Sequence, residues 1–398
     1  MRLVRGVELL EGSRVEPRQT APERGPRLLF FSGGSALRPL CRSLKRYTHN
    51  SIHLITPFDS GGSSAAIRRA FHVLSVGDIR NRLVALADES ALGNPEVHRL
   101  FAHRLPRAAA PQLEQDVVAL SEGRHPLMAA VPEPMRRTLS TQLRTFIAQA
   151  PPDFDFAGAN IGNLLLIGAY LSHGRDLEAA IGVISKLLGV RGAVLPTVDA
   201  DRHLAARLAD GRSVLGQHHI TGKEAPPLHG RIVELSLVAG LDDPSAVQAP
   251  IGDKVRTLIR SSAQLVCYSY GSFYTSLIAN LLPSGVGRAI ASAPCRKLFV
   301  PNLGHDPEQH GMTLDDLVDT LLHYLRKDAG PRTPVSRLLD LVLLDRRFLP
   351  PGAEAALPRL SAMGVPAVLA DISEPDIEDP EAARIDPERL AQVLVSLV

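Results

Sequence analysis

The chain has 398 residues, 45% of them hydrophobic and 22% charged, which is enough apolar material for one large domain or for two to three smaller ones. Its 44 basic and 42 acidic residues leave a formal net charge of +2, which argues against a dedicated nucleic-acid binder. Three cysteines are too few for a disulfide framework, and no stretch approaches the ~18 uninterrupted apolar residues of a membrane helix. Because the first residues also lack a signal peptide, we expect a cytoplasmic protein that binds neither nucleic acid nor membrane.

Residues 1–26 show no clear periodicity and are predicted to form a leader. The apolar run 28–31 then reads as a strand that ends in a turn of small residues, and a helical pattern follows it through Leu44. A second strand is predicted over 51–58, again followed by a turn rich in glycine and serine and by a helix. Strand, turn, helix and strand in this order are typical of βαβ units, which form parallel sheets.

The middle of the chain interrupts this order. Residues 91–155 carry many Pro, Ala and Arg residues without good strand candidates, and are predicted to be a helical insertion. Residues 176–188 have a clear apolar face and form a helix that should end at Gly189. Over 191–240 short strands and the hairpin signal at Asp210 and Gly211 predict a small antiparallel ribbon.

The βαβ order returns in the last third of the chain. Strands are predicted over 264–268, 297–300, 340–344 and 365–370, and Asp386 is the expected N-cap of a final helix. The sequence therefore predicts an α/β fold with a mainly parallel sheet. Its core comprises residues 27–90 and 156–398, and the helical insertion and the ribbon are added to it.

Three turns of small residues follow predicted strands, at 32–35, 60–64 and 269–272. In a parallel sheet these turns meet at the carboxyl edge, where the first amides of the following helices favour an anionic group. We therefore predict a phosphate-bearing ligand at this edge, with ordinary tight turns as the alternative. A Gly33→Val side chain would then occupy the space of a phosphate and prevent binding with little loss of fold.

Several other site classes are disfavoured. The G-x-G-x-x-G fingerprint of an ordinary NAD enzyme is absent, and so is the G-x-S-x-G elbow of the hydrolases. Residues 221–224 resemble the end of a P-loop but lack its spacing and its Ser or Thr, and His218 and His219 are expected on the ribbon surface. The loop with His305, Asp306, Glu308 and His310 is predicted to be solvated or ligand-facing, with a metal site as the less favoured alternative.

Polar residues near the predicted edge are candidates for more specific roles. Asp59 ends a strand, where its carboxylate could hold a divalent cation or a sugar hydroxyl. Asp78 is predicted to cap a helix, with Arg80 and Asn81 as candidate ligand contacts. Asn163 enters an apolar helix and must find a partner, either the ligand or a neighbouring turn.

Over residues 27–90 and 158–398 the chain resembles the superfamily of 2-phospho-L-lactate transferase and the gluconeogenesis factors, the CofD-like proteins. A CofD-related subgroup associated with the GAK system looks most similar. The resemblance rests on motifs that occur in order along the chain: Ser32-Gly33-Gly34-Ser35, Asp59-Ser60-Gly61-Gly62-Ser63-Ser64, Gly77-Asp78-Ile79-Arg80-Asn81, Ile161-Gly162-Asn163, Gly271-Ser272-Phe273-Tyr274-Thr275-Ser276 and Pro301-Asn302-Leu303.

This resemblance implies a Rossmann-like, doubly wound core and a homodimer. In the transferase branch, a phospholactyl or phosphoenolpyruvyl group passes from a guanosine diphosphate donor to a deazaflavin alcohol with Mg²⁺. The gluconeogenesis-factor branch is associated with nucleotide-sugar binding. The resemblance places Asp59 beside the reacting group as the catalytic and metal-binding residue. However, Ser60 stands where family members often have a second acid, and Ser269-Tyr270 stands where they have Gly-Pro.

Two functions remain open from the sequence: a transferase of the 2-phospho-L-lactate type, and a non-catalytic protein that senses a nucleotide diphosphate or phospho-sugar. Both use the same edge of the sheet. The turns and the resemblance together give the predicted ligand-binding residues, which are Ser32, Gly33, Gly34, Ser35, Gly61, Gly62, Ser63, Ser64, Arg80, Asn81, Asn163, Gly271, Ser272, Tyr274 and Asn302.

Overall fold

A parallel sheet of eight strands organises the chain in the computed structural model, which describes residues 5–6, 21–107, 112–222, 228, 230–375 and 379–398. The strand order is β1-β11-β10-β9-β8-β2-β3-β4. These strands, in chain order, are β1 (Arg5–Gly6), β2 (Leu28–Ser32), β3 (Ile52–Ile55), β4 (Ala193–Pro196), β8 (Leu265–Tyr268), β9 (Arg296–Phe299), β10 (Leu341–Asp345) and β11 (Ala367–Ala370). The predicted parallel sheet is confirmed.

A second sheet contains three antiparallel strands in the order β6-β5-β7. They are β5 (His203–Leu208), β6 (Ser213–Leu215) and β7 (Ile232–Val238). The turn between β5 and β6 contains Asp210 and Gly211, so the predicted ribbon is confirmed. Its predicted start at residue 191 is wrong, because β4 pairs with β3 at the edge of the parallel sheet.

Helices cover both faces of the parallel sheet. Their bounds are α1 (Arg38–Leu44), α2 (Gly62–Phe71), α3 (Gly77–Leu86), α4 (Pro95–Ala102), α5 (Gln112–Ser121), α6 (Pro126–Ala129), α7 (Met135–Gln149), α8 (Ile161–Ser172), α9 (Leu177–Leu188), α10 (Gln217–Ile220), α11 (Asp253–Thr257), α12 (Ala279–Leu281), α13 (Val286–Ser292), α14 (Leu314–Ala329), α15 (Ala353–Ala362) and α16 (Pro387–Ser396). Two π-helical segments, Leu258–Ser262 and Phe273–Ile278, and three short 3₁₀ turns, Pro22–Arg24, Pro307–Gln309 and Val335–Arg337, complete the helical structure.

The central strand β2 shows why both faces are covered. All five of its residues are buried, and successive side chains alternate between the two hydrophobic cores. Leu28 and Phe30 pack with the helices α1 to α9 and α16, whereas Leu29 and Phe31 pack with the ribbon and the helices α13 to α15. A strand that is apolar on both sides is typical of a parallel sheet between two helical layers. The doubly wound fold is therefore confirmed.

Four helices, α4 to α7, lie within the predicted insertion 91–155. Their apolar residues, among them Leu100, Leu113 and Phe146, belong to the same core as α3, α8 and α9. The insertion is therefore packed into one helical layer, and its bounds as a separate unit stay a prediction. Most of the predicted leader lies outside the described residues, although Arg5–Gly6 pairs with β11 as an edge strand.

Two predicted helix ends are confirmed, since α9 ends at Gly189 and Asp386 accepts two amides at the start of α16. Asp176, the first residue of the predicted helix 176–188, is the N-cap of α9. The N-cap prediction for Asp78 is wrong, because α3 begins at Gly77 and Val76 holds the N-cap position. Asp78 is the second residue of α3, where the helix dipole favours a carboxylate.

The strand order places the switch point of the sheet between β2 and β8. From β2 the chain winds outward through β3 and β4, and from β8 it winds outward in the other direction through β9, β10 and β11. Crevices at such a point, outside the carboxyl ends of the strands, are where α/β sheets bind ligands. Among the described residues, no helix combines the length and the apolar composition that a membrane crossing requires.

Candidate functional site

A cavity of about 410 Å³ opens at this switch point, a size that suits a small-molecule ligand. The turns after β2, β3 and β8 enclose it, together with the start of α3, one residue of α8, the insertion and the ribbon loop. Its lining residues are Gly33, Gly34, Ser35, Ala36, Leu37, Asp59, Gly61, Gly62, Ser63, Ser64, Gly77, Asp78, Arg80, Asn81, Arg104, Arg107, Asn163, Gln217, His218, Thr221, Tyr270, Gly271, Ser272, Thr275 and Ser276.

The turn after β2 is held by close packing against the segment that follows β8. A Cβ on Gly33 would lie 2.5 Å from Ser276 Oγ and 3.1 Å from Thr56 Oγ1. Behind this contact, the buried Asn280 donates to the carbonyl oxygens of Ser32 at 2.9 Å and of Ser276 at 2.7 Å. The absent side chain of Gly33 therefore faces protein, and the expectation for Gly33→Val needs correction.

We expect Gly33→Ala to lower the free energy of unfolding by about 2 kcal/mol, because the added methyl group overpacks the contact with Ser276. Urea denaturation of the variant beside the wild type measures this loss. Gly182→Ala is the matched control, since a Cβ there meets nothing within 4 Å. Unchanged stability in Gly33→Ala would show that the two turns are not packed as described.

The loop after β3 brings a carboxylate and a helix start to the cavity. Asp59 Oδ1 accepts the N–H of Gly61 at 3.2 Å, which folds the loop back on itself. Helix α2 then begins with Gly62, Ser63 and Ser64, all of which line the cavity. The first amides of an α-helix have no partner within the helix and carry partial positive charge, so this end favours an anionic group.

Helix α3 contributes Asp78 and Arg80 to the lining of the same cavity. Arg80, 8% exposed, donates from Nε to Asn163 Oδ1 at 3.1 Å. Burial and the nearby cation Arg104 lower the pKa of Arg80 to about 10, so it stays charged at neutral pH. The partner that Asn163 has within the protein is therefore a side chain of α3, not a neighbouring turn. Both residues line the cavity, and contact of Asn163 with a ligand stays a prediction.

The turn after β8 differs from the other two, because buried carboxylates already occupy its amides. Asp306 Oδ2 accepts the N–H of Phe273 at 2.9 Å, and Glu308 Oε2 accepts those of Tyr274 and Thr275, both at 2.8 Å. The loop 305–310 is therefore neither solvated nor ligand-facing at its acids, which corrects that prediction. An anionic ligand group has no free amide at these three positions.

Three predicted ligand-binding residues lie outside the cavity lining. Ser32 is buried beneath the first turn, and Tyr274 lies in the second core, where its hydroxyl donates to the carbonyl oxygen of Ile232 at 3.0 Å. Asn302 holds the backbone of Gly271, whose φ of 122° favours glycine, with one bond to its N–H and one to its carbonyl oxygen. These three residues lie where they support the turns, and their contact with a ligand stays a prediction. The other twelve predicted residues and Asp59 line the cavity.

The sequence patterns missed the cavity residues that come from outside the βα turns. Arg104 and Arg107 belong to the insertion, and His218 belongs to the ribbon lobe. His218 was expected on the surface, yet its Nδ1 lies 2.7 Å from the hydroxyl of Ser60. No local signal marks these residues, since packing of distant segments brings them to the cavity.

Charged groups of both signs line the cavity. Three arginines, Arg80, Arg104 and Arg107, line it together with Asp59 and Asp78. No group of three or more His, Cys, Asp or Glu residues suited to a metal ion occurs in the described part of the chain. The arrangement can hold a negatively charged ligand.

Comparison with known proteins agrees with this architecture. Over residues 28–373 the sequence matches the family described as 2-phospho-L-lactate transferase CofD. A relative from Nostoc sp. is 31% identical over 389 residues, which cover 94% of this chain and 68% of the relative. The gluconeogenesis factor of Bacillus subtilis is 27% identical over 94% of this chain and 98% of its own length.

A solved structure shows the same fold. The crystal structure of a UPF0052 family member from Bacillus halodurans superimposes with a TM-score of 0.65 over 93% of this chain and 99% of that chain. Its sequence identity is 22%, so this likeness concerns the fold. The sequence match and the aligned relatives confirm the resemblance drawn from the motifs, whereas the narrower likeness to the GAK subgroup stays a prediction. This chain belongs to the CofD family.

Proposed function

We propose that this protein binds a nucleotide diphosphate or a phospho-sugar ligand in the cavity at the carboxyl edge of its sheet. The observation that carries the proposal is the combination of glycine-rich turns, the start of α2 and three arginines around one cavity of about 410 Å³. Backbone amides and guanidinium groups are the donors that bind phosphate oxygens. An apolar ligand does not fit a lining of this kind.

The relatives support a role as a ligand-binding protein of the gluconeogenesis-factor type. Relatives from Bacillus subtilis and Halalkalibacterium halodurans carry the name gluconeogenesis factor. We therefore prefer a protein that recognises its ligand and acts in the control of sugar metabolism. The alignment with the Bacillus subtilis relative spans 94% of the chain, so the comparison includes all segments that form the cavity.

A transferase of the 2-phospho-L-lactate type is the second candidate, and the two carboxylates of the cavity favour it. Asp59 and Asp78 both line the cavity, so together they would supply two carboxylates although Ser60 stands where family members often have an acid. Mg²⁺ is held in many proteins by one or two carboxylates together with substrate phosphates, and the donors here fit that pattern. Such an ion would neutralise phosphate charge, while Asp59 and Asp78 would hold it beside the bound diphosphate.

Calorimetric titration with GDP and with UDP-glucose, each with and without Mg²⁺, tests the proposal. We expect saturable binding of at least one of the two at a ratio of one per chain. Release of GMP from a guanosine diphosphate donor that carries the phospholactyl group, in the presence of a deazaflavin alcohol as acceptor and Mg²⁺, would establish the transferase, whereas binding without turnover favours the sensor. Absence of binding by both nucleotides under all four conditions would contradict the proposed function.

A further inference from the structure

A buried arginine lies directly behind the first glycine turn. Arg82 on α3 is 1% exposed and does not line the cavity. Its Nη2 donates to Gly33 O at 3.0 Å and to Ser32 Oγ at 3.2 Å, and its Nη1 donates to Cys41 Sγ at 2.7 Å. The guanidinium therefore joins β2, α1 and α3 at the point where the turn begins.

No carboxylate in the described part of the chain forms an ion pair with Arg82. Its acceptors are two carbonyl oxygens, those of Gly33 and Gly34, with a hydroxyl and a thiol, and its Nε has no partner among the described residues. By contrast Arg68, which is equally buried, is paired with Asp201. A buried cation without a counter-ion is costly, so arginines at such positions are nearly always paired.

The groups that surround Arg82 supply no negative charge of their own. Burial, and then the charge of Arg82, lower the pKa of His53 well below its ordinary value, so this ring is neutral. Burial raises the pKa of the Cys41 thiol, which therefore stays protonated at neutral pH. Asp78 Oδ1 lies 3.3 Å from the position of a Cβ on Gly34, and within the described residues it forms no ion pair with Arg82. The missing counter-charge must come from another source.

The bond to Gly33 also fixes the direction of the turn. In a trans peptide, the carbonyl of one residue and the N–H of the next point in opposite directions. Since the carbonyl of Gly33 points at Arg82, the N–H of Gly34 points away from it. Gly34 and Ser35 line the cavity and Arg82 does not, so this amide is directed to the cavity side.

We propose that Arg82 is a positioning residue whose counter-charge is an anionic group of the ligand, a phosphate, held at the amides of Gly34 and Ser35. The inference rests on the proposed function and assigns the phosphate to one turn. The turn after β8 is unsuitable, because Asp306 and Glu308 occupy its helical amides. Arg82 acts through the glycine turn and does not touch the ligand.

Three variants test this assignment. Arg82→Met removes the charge in an unbranched side chain and is expected to weaken GDP binding by about thirtyfold in calorimetry. Arg82→Lys keeps the charge and is expected to recover most of the affinity. Lys297→Met is the control, since Lys297 is also a buried cation and lies at the start of β9, at the opposite edge of the sheet. It should bind GDP as the wild type does.

The outcomes separate this role from a purely structural one. Wild-type affinity in Arg82→Met would overturn the inference, and so would failure of lysine to rescue binding in a variant that is still folded by circular dichroism. If Arg82→Met does not fold, the comparison of Arg82→Lys with the wild type decides, because a structural role that needs the planar guanidinium predicts a full loss. If the wild type binds neither GDP nor UDP-glucose, the proposed function fails. Titration of the wild type and Arg82→Met with inorganic pyrophosphate then tests the role of Arg82 by itself. The inference is overturned if pyrophosphate does not bind, or if it binds both proteins equally well.

Discussion

Glu308→Ala is expected to lower the free energy of unfolding by about 4 kcal/mol, because three buried donors lose their acceptor together. These donors are the N–H groups of Tyr274 and Thr275 and the hydroxyl of Thr275, which lies 2.6 Å from Glu308 Oε1. The removed side chain also leaves a cavity in a fully buried position. Urea denaturation at neutral pH measures the loss.

Glu308→Gln is the matched control, since its carbonyl oxygen can accept both amides and its NH₂ can donate to the Thr275 hydroxyl. We expect this variant to keep most of the wild-type stability. A loss of under about 1 kcal/mol in Glu308→Ala would contradict the described bonds, because even one unsatisfied buried donor costs about that much.

The same residue predicts a pH dependence with a definite sign. Burial, and then the charge of Asp306, raise the pKa of Glu308 from its ordinary 4.5 to about 7. The folded protein therefore holds a proton that the unfolded chain has released, so this contribution to stability is complete below pH 4.5 and is lost as the pH rises through about 7. The difference in stability between the wild type and Glu308→Gln should fall across this window. A difference that grows with pH would contradict the assignment.

Asp59→Asn and Asp78→Asn are each expected to weaken GDP binding in the presence of Mg²⁺ by about a hundredfold, as loss of a metal-binding carboxylate typically does. Without Mg²⁺ no loss of GDP affinity is expected. Each substitution then removes a negative charge beside the bound phosphates, so the affinity stays equal or rises. Titrations of each variant with GDP, with and without Mg²⁺, measure both effects.

Asp253→Asn is the control for these titrations, because Asp253 is 94% exposed and lies outside the cavity. It should bind GDP as the wild type does under both conditions. An unchanged effect of Mg²⁺ in both cavity variants would show that Asp59 and Asp78 hold no ion with the ligand. That result would not test the proposed contacts of the ligand with the backbone amides and the arginines.

The sequence predicted the sheet and the three turns that line the cavity, because both depend on local patterns. The apolar run at β2 and the glycines after it predict a buried strand and a tight turn at the correct edge. By contrast, Glu308 acts on amides 33 and 34 residues away, and nothing near it in the sequence indicates this pairing. Such bonds arise only when the chain has folded.

The surroundings of Gly33 are a second feature that local sequence patterns did not predict. Glycine in a turn after a strand was interpreted as space for a phosphate, whereas the nearest atoms belong to Ser276. Arg104 of the insertion likewise reaches the cavity through tertiary packing alone. Local sequence patterns therefore placed the edge of the site, but long-range packing decides which atoms face it. The homodimer, the metal ion and the cytoplasmic location stay predictions.

A crystal structure of the protein grown with saturating GDP and Mg²⁺ tests the central claim most directly. The account predicts the diphosphate in the cavity, within hydrogen-bond distance of the amides of Gly34 and Ser35 and near the start of α2. Diphosphate bound instead at the surface groove lined by Arg42, Lys45, Arg46 and Arg191 would contradict the account, and so would a cavity that holds no diphosphate in such crystals.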